Sequence, residues 1–245
     1  MPLNKSAGNM YPWVTHTHNH MGGVCPHHCS YCYVDNPRFG RPPRYTGPIR
    51  LIEEEFRVRY GEGKTIFVEN MGDMFAADIP GCFIDRILAH CIQFPGNSYV
   101  YQTKNPARTN LYLSNRGNFS IPHGSFFGTT LESNRHYPEF MRDAPHPIER
   151  AAAMMRLAAL RHDLQIFITV EPVMDFDPDV LGSWLAMIRP SFVNIGADSK
   201  SKTLPEPNSW KIHRLIEILA EHSIEVRQKH NLTRILSNIL DDTKK

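Results

Sequence analysis

The sequence predicts an α/β fold, a partial (βα)6 TIM-like barrel with a parallel sheet. Three observations lead there. Short runs rich in β-branched and aromatic residues alternate with helical stretches of roughly ten to fifteen residues, the rhythm of βαβ units. Six such units fit in 245 residues, two short of a closed eight-fold barrel. No linker or low-complexity stretch divides the chain, so residues 1–245 are expected to form one domain.

The elements follow in order. PWVTHTH (12–18) reads as the first strand and IRLIEEEFRVRY (49–60) as a helix. TIFVE (65–69) is the second strand, followed by a helix at 80–93. SYVYQT (98–103), SFFGTT (125–130), IFITVE (166–171) and FVNIG (192–196) continue the strands, with helices at 106–115, 147–162 and 178–189 between them. An amphipathic stretch at 207–222 precedes IEVRQ (224–228), a short closing strand. Several helices carry Pro in the first turn, where its missing N–H costs nothing.

Composition excludes some functions. The chain is 41% hydrophobic and 21% charged with a formal net charge of +2, so no strong global field draws it to nucleic acid or a membrane surface. No run approaches the roughly 18 apolar residues of a membrane span, and MPLNKSAGNMYPW has no apolar core of a signal peptide. A cytoplasmic location without membrane contact is expected. In a reducing compartment the five cysteines are ligands or bystanders rather than disulfides. Cys82 and Cys91, nine apart in a helix, fall on opposite faces and do not pair as ligands.

Three cysteines crowd the loop after the first strand, at 21–33: Cys25, Cys29 and Cys32, in the spacing CX3CX2C. Three thiolates so placed can wrap one metal centre. Zinc would take a fourth ligand from His27, His28 or His20. A [4Fe–4S] cubane held by three cysteines would leave one iron open to a chelating small molecule, with Tyr31 shielding it. The spacing alone allows both. The residues after the strands read HNHMGG, ENMGD, TKNP, TTLESN, EPVMD and GADSK, a polar rim where parallel α/β folds bind ligands. His16, His18 and His20 alternate and in a strand would share one face, read most simply as rim residues, with a second metal as the alternative.

CPHHCSYC resembles the cluster signature of the radical S-adenosylmethionine (SAM) superfamily, which carries it after the first strand of such a barrel. YQTKNP (101–106), TTLES (129–133), VEPVMDFD (170–177) and NIGADS (194–199) look closest to the spore photoproduct lyase-like branch and related phage-associated proteins. The resemblance implies that Cys25, Cys29 and Cys32 hold a [4Fe–4S] cluster and act in catalysis, with SAM chelating the fourth iron. An external donor of flavodoxin or ferredoxin type would supply an electron. SAM would then yield a 5′-deoxyadenosyl radical that abstracts hydrogen from a substrate.

The same resemblance suggests contacts to SAM. Gly72 and Asp73 would hold its amino group, although Asn70-Met71-Gly72-Asp73 departs from the Gly-Gly-Glu-like turn of the superfamily. Lys104 would pair with its carboxylate, and Thr130 and Glu132 suit its ribose hydroxyls. Glu171 would contact SAM or substrate or brace a cation, and Asn194 and Gly196 permit close approach of adenine. Photoproduct lyases place a hydrogen-donating cysteine near the end of strand two. This chain has Met74 and Phe75 there, leaving Tyr99 or Tyr101 as substitutes. Arg38, Arg41, Arg44 and Arg50, interleaved with Phe39 and Tyr45, could meet nucleic acid. The competing reading is a non-catalytic Cys3His zinc module that binds nucleic acid or a protein partner.

Overall fold

The computed structural model describes residues 3–35, 40–115, 121–122, 124–199 and 203–237. β1 (Asn4–Lys5) and β2 (His16–His18) come first, then β3 (Met21–Gly22) and β4 (Arg50–Leu51). The chain continues through β5 (Thr65–Val68), α1 (Gly81–Ile92), β6 (Ser98–Thr103), α2 (Pro106–Asn115) and β7 (Phe126–Thr130). Next are α3 (Pro138–Met141), α4 (Pro147–Leu160), β8 (Gln165–Val170), α5 (Pro178–Ile188) and β9 (Phe192–Ile195). α6 (Ser209–Glu221), β10 (Glu225–Gln228) and α7 (Thr233–Leu236) complete it.

One sheet runs β1-β2-β5-β6-β7-β8-β9-β10. Every pairing from β2 to β10 is parallel, and only β1 is antiparallel to its neighbour. This is the expected α/β partial barrel, and IEVRQ does form the closing strand. No helix among the described residues is long and apolar enough to cross a membrane.

Strand alternation sorts the side chains into two layers. Ile66, Val68, Tyr99, Tyr101, Ile168 and Val193 face outward and pack on Ile84, Ile87 and Leu88 of α1 and on Met154 and Leu157 of α4. Phe67, Val100, Phe167 and Phe192 face inward and enclose Tyr11 and Val14. Trp13 lies 4.9 Å from Phe126, and Phe167 stacks on Phe192 at 5.5 Å. Segment 10–14 thus plugs the barrel at the starts of the strands. Beyond the plug, inward positions turn polar with Thr17, Gln102, Thr130 and Thr169, and there the interior opens.

The plug explains Gly128. A Cβ on it would lie 2.4–2.6 Å from the Phe167 ring. Gly128→Ala is therefore expected to lower stability by about 1–3 kcal/mol through overpacking. An unchanged urea midpoint would refute that account of the plug.

Two elements differ from the sequence reading. The first strand shrinks to residues 16–18, because Val14 N–H bonds Tyr11 O at 3.0 Å and turns the chain inward. The stretch 49–60 is not an α-helix. Arg50–Leu51 pairs with Met21–Gly22, Ile52 N–H donates to His20 O at 2.8 Å, and only a 3-10 turn follows at Glu53–Arg57. Tertiary pairing outcompetes local propensity here. The crossover from β2 to β5 consequently has no α-helix among its described residues, whereas the five later crossovers each have at least one.

Candidate functional site

At the carboxyl ends of the strands lies a cavity of about 560 Å³. Cys25, Cys29 and Cys32 line one side of it, together with Tyr31. Gly72, Asp73, Lys104, Thr130 and Glu171 also line it, whereas Glu132, Asn194 and Gly196 stand behind the wall.

The cysteine loop leaves β3 through Gly23, whose φ of +100° and whose absent Cβ, which would sit 2.4 Å from Pro48 O, both demand glycine. The loop returns by turns in which His28 N–H bonds Cys25 O and Cys32 N–H bonds Cys29 O. Cys29 is buried and its Sγ lies 3.7 Å from Met141 O. Burial, aided by the nearby Asp73 charge, pushes the Cys25 thiol up to about 12, and burial likewise raises Cys29. A bound cation would offset that burial and favour the Cys25 thiolate.

The three histidines that could complete a zinc site are engaged elsewhere. His27 Nε2 donates to Asp73 Oδ2 at 2.6 Å, His28 Nδ1 bonds Asp143 at 2.7 Å, and His20 turns outward to Glu69. Among the described residues, no trio of ligand atoms within 4.8 Å of one another includes a cysteine. Three cysteine thiols on one short loop, with the neighbouring histidines engaged elsewhere, are a donor set of the kind that would hold a three-cysteine cluster.

Asp73 closes the loop onto the barrel. Its carboxylate accepts from His27, Thr103 Oγ1 at 2.9 Å, Lys104 N–H at 2.8 Å and Phe75 N–H at 2.9 Å. Burial would raise its pKa, but these donors, His27 foremost, hold it below the ordinary value. Asp73 thus braces the loop while it lines the cavity beside Asn70, Met71 and Gly72 of its turn. Asn19 clamps that turn, donating to Asn70 Oδ1 at 2.8 Å and accepting Met71 N–H at 2.9 Å.

Behind the opposite wall sits a buried ion triad. Glu132 and Arg150 are both fully buried, and Arg150 Nη1 donates to Glu132 Oε2 at 2.7 Å and to Thr130 O at 2.7 Å. Lys104 Nζ donates to the other Glu132 oxygen, as does Tyr31 OH at 2.6 Å. Lys104 also lies over the Tyr31 ring at 5.1 Å. Burial opposes ionisation of Glu132, yet Arg150 and Lys104 outweigh it and hold the carboxyl far below its usual range. Glu132 therefore positions Lys104 and Tyr31 rather than reaching the cavity.

The far wall is Glu171, which accepts from Asn9 Nδ2 at 3.1 Å and Lys229 Nζ at 2.8 Å. Gly196 makes room for it, since a Cβ there would lie 2.8 Å from the Glu171 carboxyl carbon. Asn194 is buried in β9 beneath Thr169, 3.4 Å from its hydroxyl. The floor is a polar relay in which Tyr11 OH donates to Gln102 Oε1 at 2.8 Å and Gln102 Nε2 donates to Thr130 Oγ1 at 3.1 Å. Asn9, Tyr11, Asn19, Gln102 and Lys229 were not legible as site residues. Asn19 and Gln102 lie within the stretches HNHMGG and YQTKNP, and Lys229 follows directly on the closing strand.

Tyr99 and Tyr101 point into the outer core, away from the cavity, while Tyr11, Tyr31 and Tyr33 line it. Among the arginines, Arg38 lies outside the described residues. Arg44 is spent on Glu55 and Asn19 O, and Arg50 on the carbonyls of Arg44, Thr46 and Pro48. Arg41 reaches the cavity and pairs with Asp35.

The model of the family described as Protein of unknown function (DUF5131) matches residues 9–211 of the chain. No curated protein matches it. Among solved structures, a spore photoproduct lyase variant aligns with a TM-score of 0.62 and 11% identity, over 93% of this chain and 80% of that one. A variant of that lyase with bound AdoMet and dinucleoside spore photoproduct gives 0.57 and 13%, over 90% and 66%. Streptococcus suis SuiB bound to precursor peptide SuiA gives 0.54 and 11%, over 89% of this chain but about half of SuiB, 49%. These neighbours are radical SAM enzymes, and the likeness places the fold with theirs.

Proposed function

The chain belongs to the DUF5131 family, and we propose that it is a radical SAM enzyme holding a [4Fe–4S] cluster on Cys25, Cys29 and Cys32. The observation that carries this reading is the convergence of the CX3CX2C loop and the polar strand ends on one cavity. Its volume, about 560 Å³, falls within the roughly 300–1,000 Å³ of small-molecule sites. When bound, the cluster and SAM supply the hard chemistry, an electron from an external donor and a 5′-deoxyadenosyl radical that takes hydrogen from the substrate.

The chain's own residues bind and orient. The Asn70–Gly72 turn, held by Asn19, offers backbone groups and an amide to the SAM amino group. Lys104, aimed by Glu132 and Tyr31, offers its ammonium to the SAM carboxylate. Gln102, Thr130 and Thr169 present hydroxyls and an amide to the sugar, and Glu171 closes the far end. Tyr31 and the aromatic plug keep water from the reacting atoms. A nucleic acid or nucleotide is the substrate class we favour, supported by the dinucleoside held by one structural neighbour and by Arg41 at the cavity.

Anaerobic reconstitution with iron and sulfide, then dithionite and SAM, tests the reading. About four irons per chain and formation of 5′-deoxyadenosine are expected. Stoichiometric zinc on the cysteines, no brown chromophore and intact SAM would overturn it.

A further inference from the structure

On the outer side of the sheet, where the chain enters the cysteine loop, three histidines meet. His18 ends β2, His20 follows it, and His90 lies in the last turn of α1. Their exposures are 2%, 0% and 3%. One ring nitrogen from each lies within 4.8 Å of those from the other two. Tyr60, Phe56 and Phe94 wrap them.

Hydrogen counting makes the cluster unusual. His20 Nδ1 is 2.9 Å from Glu69 Oε1, an oxygen that already accepts the His20 backbone N–H at 2.5 Å. With Glu69 ionised, the state that a bound cation favours, that ring nitrogen bears the hydrogen and donates. His90 Nε2 is 3.1 Å from Val58 O, a carbonyl that can only accept, so it donates too. In neutral rings this leaves lone pairs on His20 Nε2 and His90 Nδ1, and these two atoms face each other at 2.9 Å. The Tyr60 hydroxyl, 2.9 Å from His20 Nε2, can satisfy one of them and not both. His18 Nε2 is buried and has no hydrogen-bond partner. An imidazolium would relieve the opposition only by burying a cation without water.

A divalent cation satisfies every lone pair at once. Outer N–H groups tied to a carboxylate and a carbonyl are the arrangement that orients histidine ligands toward a metal. We propose that His18, His20 and His90 bind one zinc-class transition metal ion, a site separate from the cysteine loop. Three imidazoles suit zinc and its neighbours in the first transition row. Glu55, 6% exposed, stands with Oε2 3.6 Å from His18 Nε2, while its other oxygen pairs with Arg44 at 2.5 Å. The ion would tie β2 to α1 and stand beside the 3-10 turn at Glu53–Arg57, in the crossover that has no α-helix among its described residues.

The test uses the full chain with Cys25, Cys29 and Cys32 all replaced by serine, so that the cysteine loop cannot capture zinc or cobalt(II). One ion per chain is expected, with cobalt spectra free of thiolate charge-transfer bands. His90→Gln and His18→Gln should each weaken binding by at least about tenfold. A folded serine variant that binds no stoichiometric ion, or affinity unchanged by His90→Gln, would overturn the site. In the chain with its cysteines intact and saturated by iron and sulfide, metal analysis should still find one zinc per chain, lost in His90→Gln. Zinc that remains in His90→Gln would place the ion elsewhere and refute the proposal. Both readings are independent of 5′-deoxyadenosine formation, so failure here leaves the cavity's function untouched.

Discussion

Cys29→Ala is expected to abolish 5′-deoxyadenosine formation and to reduce iron after reconstitution from about four per chain to a small fraction of that. With one of three thiolates gone, the cubane keeps only two protein anchors. The variant should still fold. Cys29 packs its sulfur near Met141 O, and truncating a small buried side chain of that kind costs about 1 kcal/mol. The chain contains its own control. Cys91 is fully buried in α1, and burial pushes its thiol up to about 12, as it does for Cys25. It sits in the outer core among Ile87, Tyr99 and Tyr101, so Cys91→Ala should retain full iron and full 5′-deoxyadenosine yield. Equal iron loss in both variants would mean that iron uptake follows general thiol content, and the assignment of the cluster to the loop would fall.

The contrast between those two cysteines shows what a sequence can reveal. Three thiols in eight positions are a local pattern, and local patterns survive into structure. The alternation of strands and helices is likewise local, and so the parallel sheet and its polar ends were legible. The triad was not. Arg150 sits in the run PIERAAAMMRLAAL, where helical spacing reports packing and nothing marks a buried guanidinium aimed at a carboxylate 18 residues earlier. Glu171 finds Asn9 and Lys229 at separations of 162 and 58 residues, contacts that only closure of the barrel creates. The segment 49–60 misled for the complementary reason. Its acidic and apolar spacing suits a helix, but the glycine pair at 22–23 lets the chain pass close to residues 44–49, and the ribbon between β3 and β4 captures it instead. The alternation of His16, His18 and His20 was visible, yet their direction was not. Thr17 faces the cavity, and His18 and His20 face α1.

The buried triad carries the other large effect. Glu132→Ala should destabilise the fold by about 3–5 kcal/mol, because it strands a fully buried Arg150 and frees Lys104 and Tyr31. That is a large share of the roughly 5–15 kcal/mol that holds a typical domain together. The sign with pH follows from the same geometry. The folded carboxyl is held far below the 4.5 of a free glutamate, so the unfolded chain takes up a proton first as the medium is acidified. Its stabilisation is complete above the unfolded value and drains away below it, by up to about 1.4 kcal/mol per pH unit. In urea denaturation, Glu132→Gln should therefore lose less stability than the parent between about pH 5 and pH 3. A double variant, Glu132→Leu with Arg150→Met, should recover most of the stability lost in Glu132→Ala, since apolar packing replaces buried ion pairs well. It should not recover SAM binding, because Lys104 and Tyr31 would still lack the carboxylate that aims them. Recovery of both together would show that Lys104 is aimed by something other than Glu132, and the triad would be structural alone.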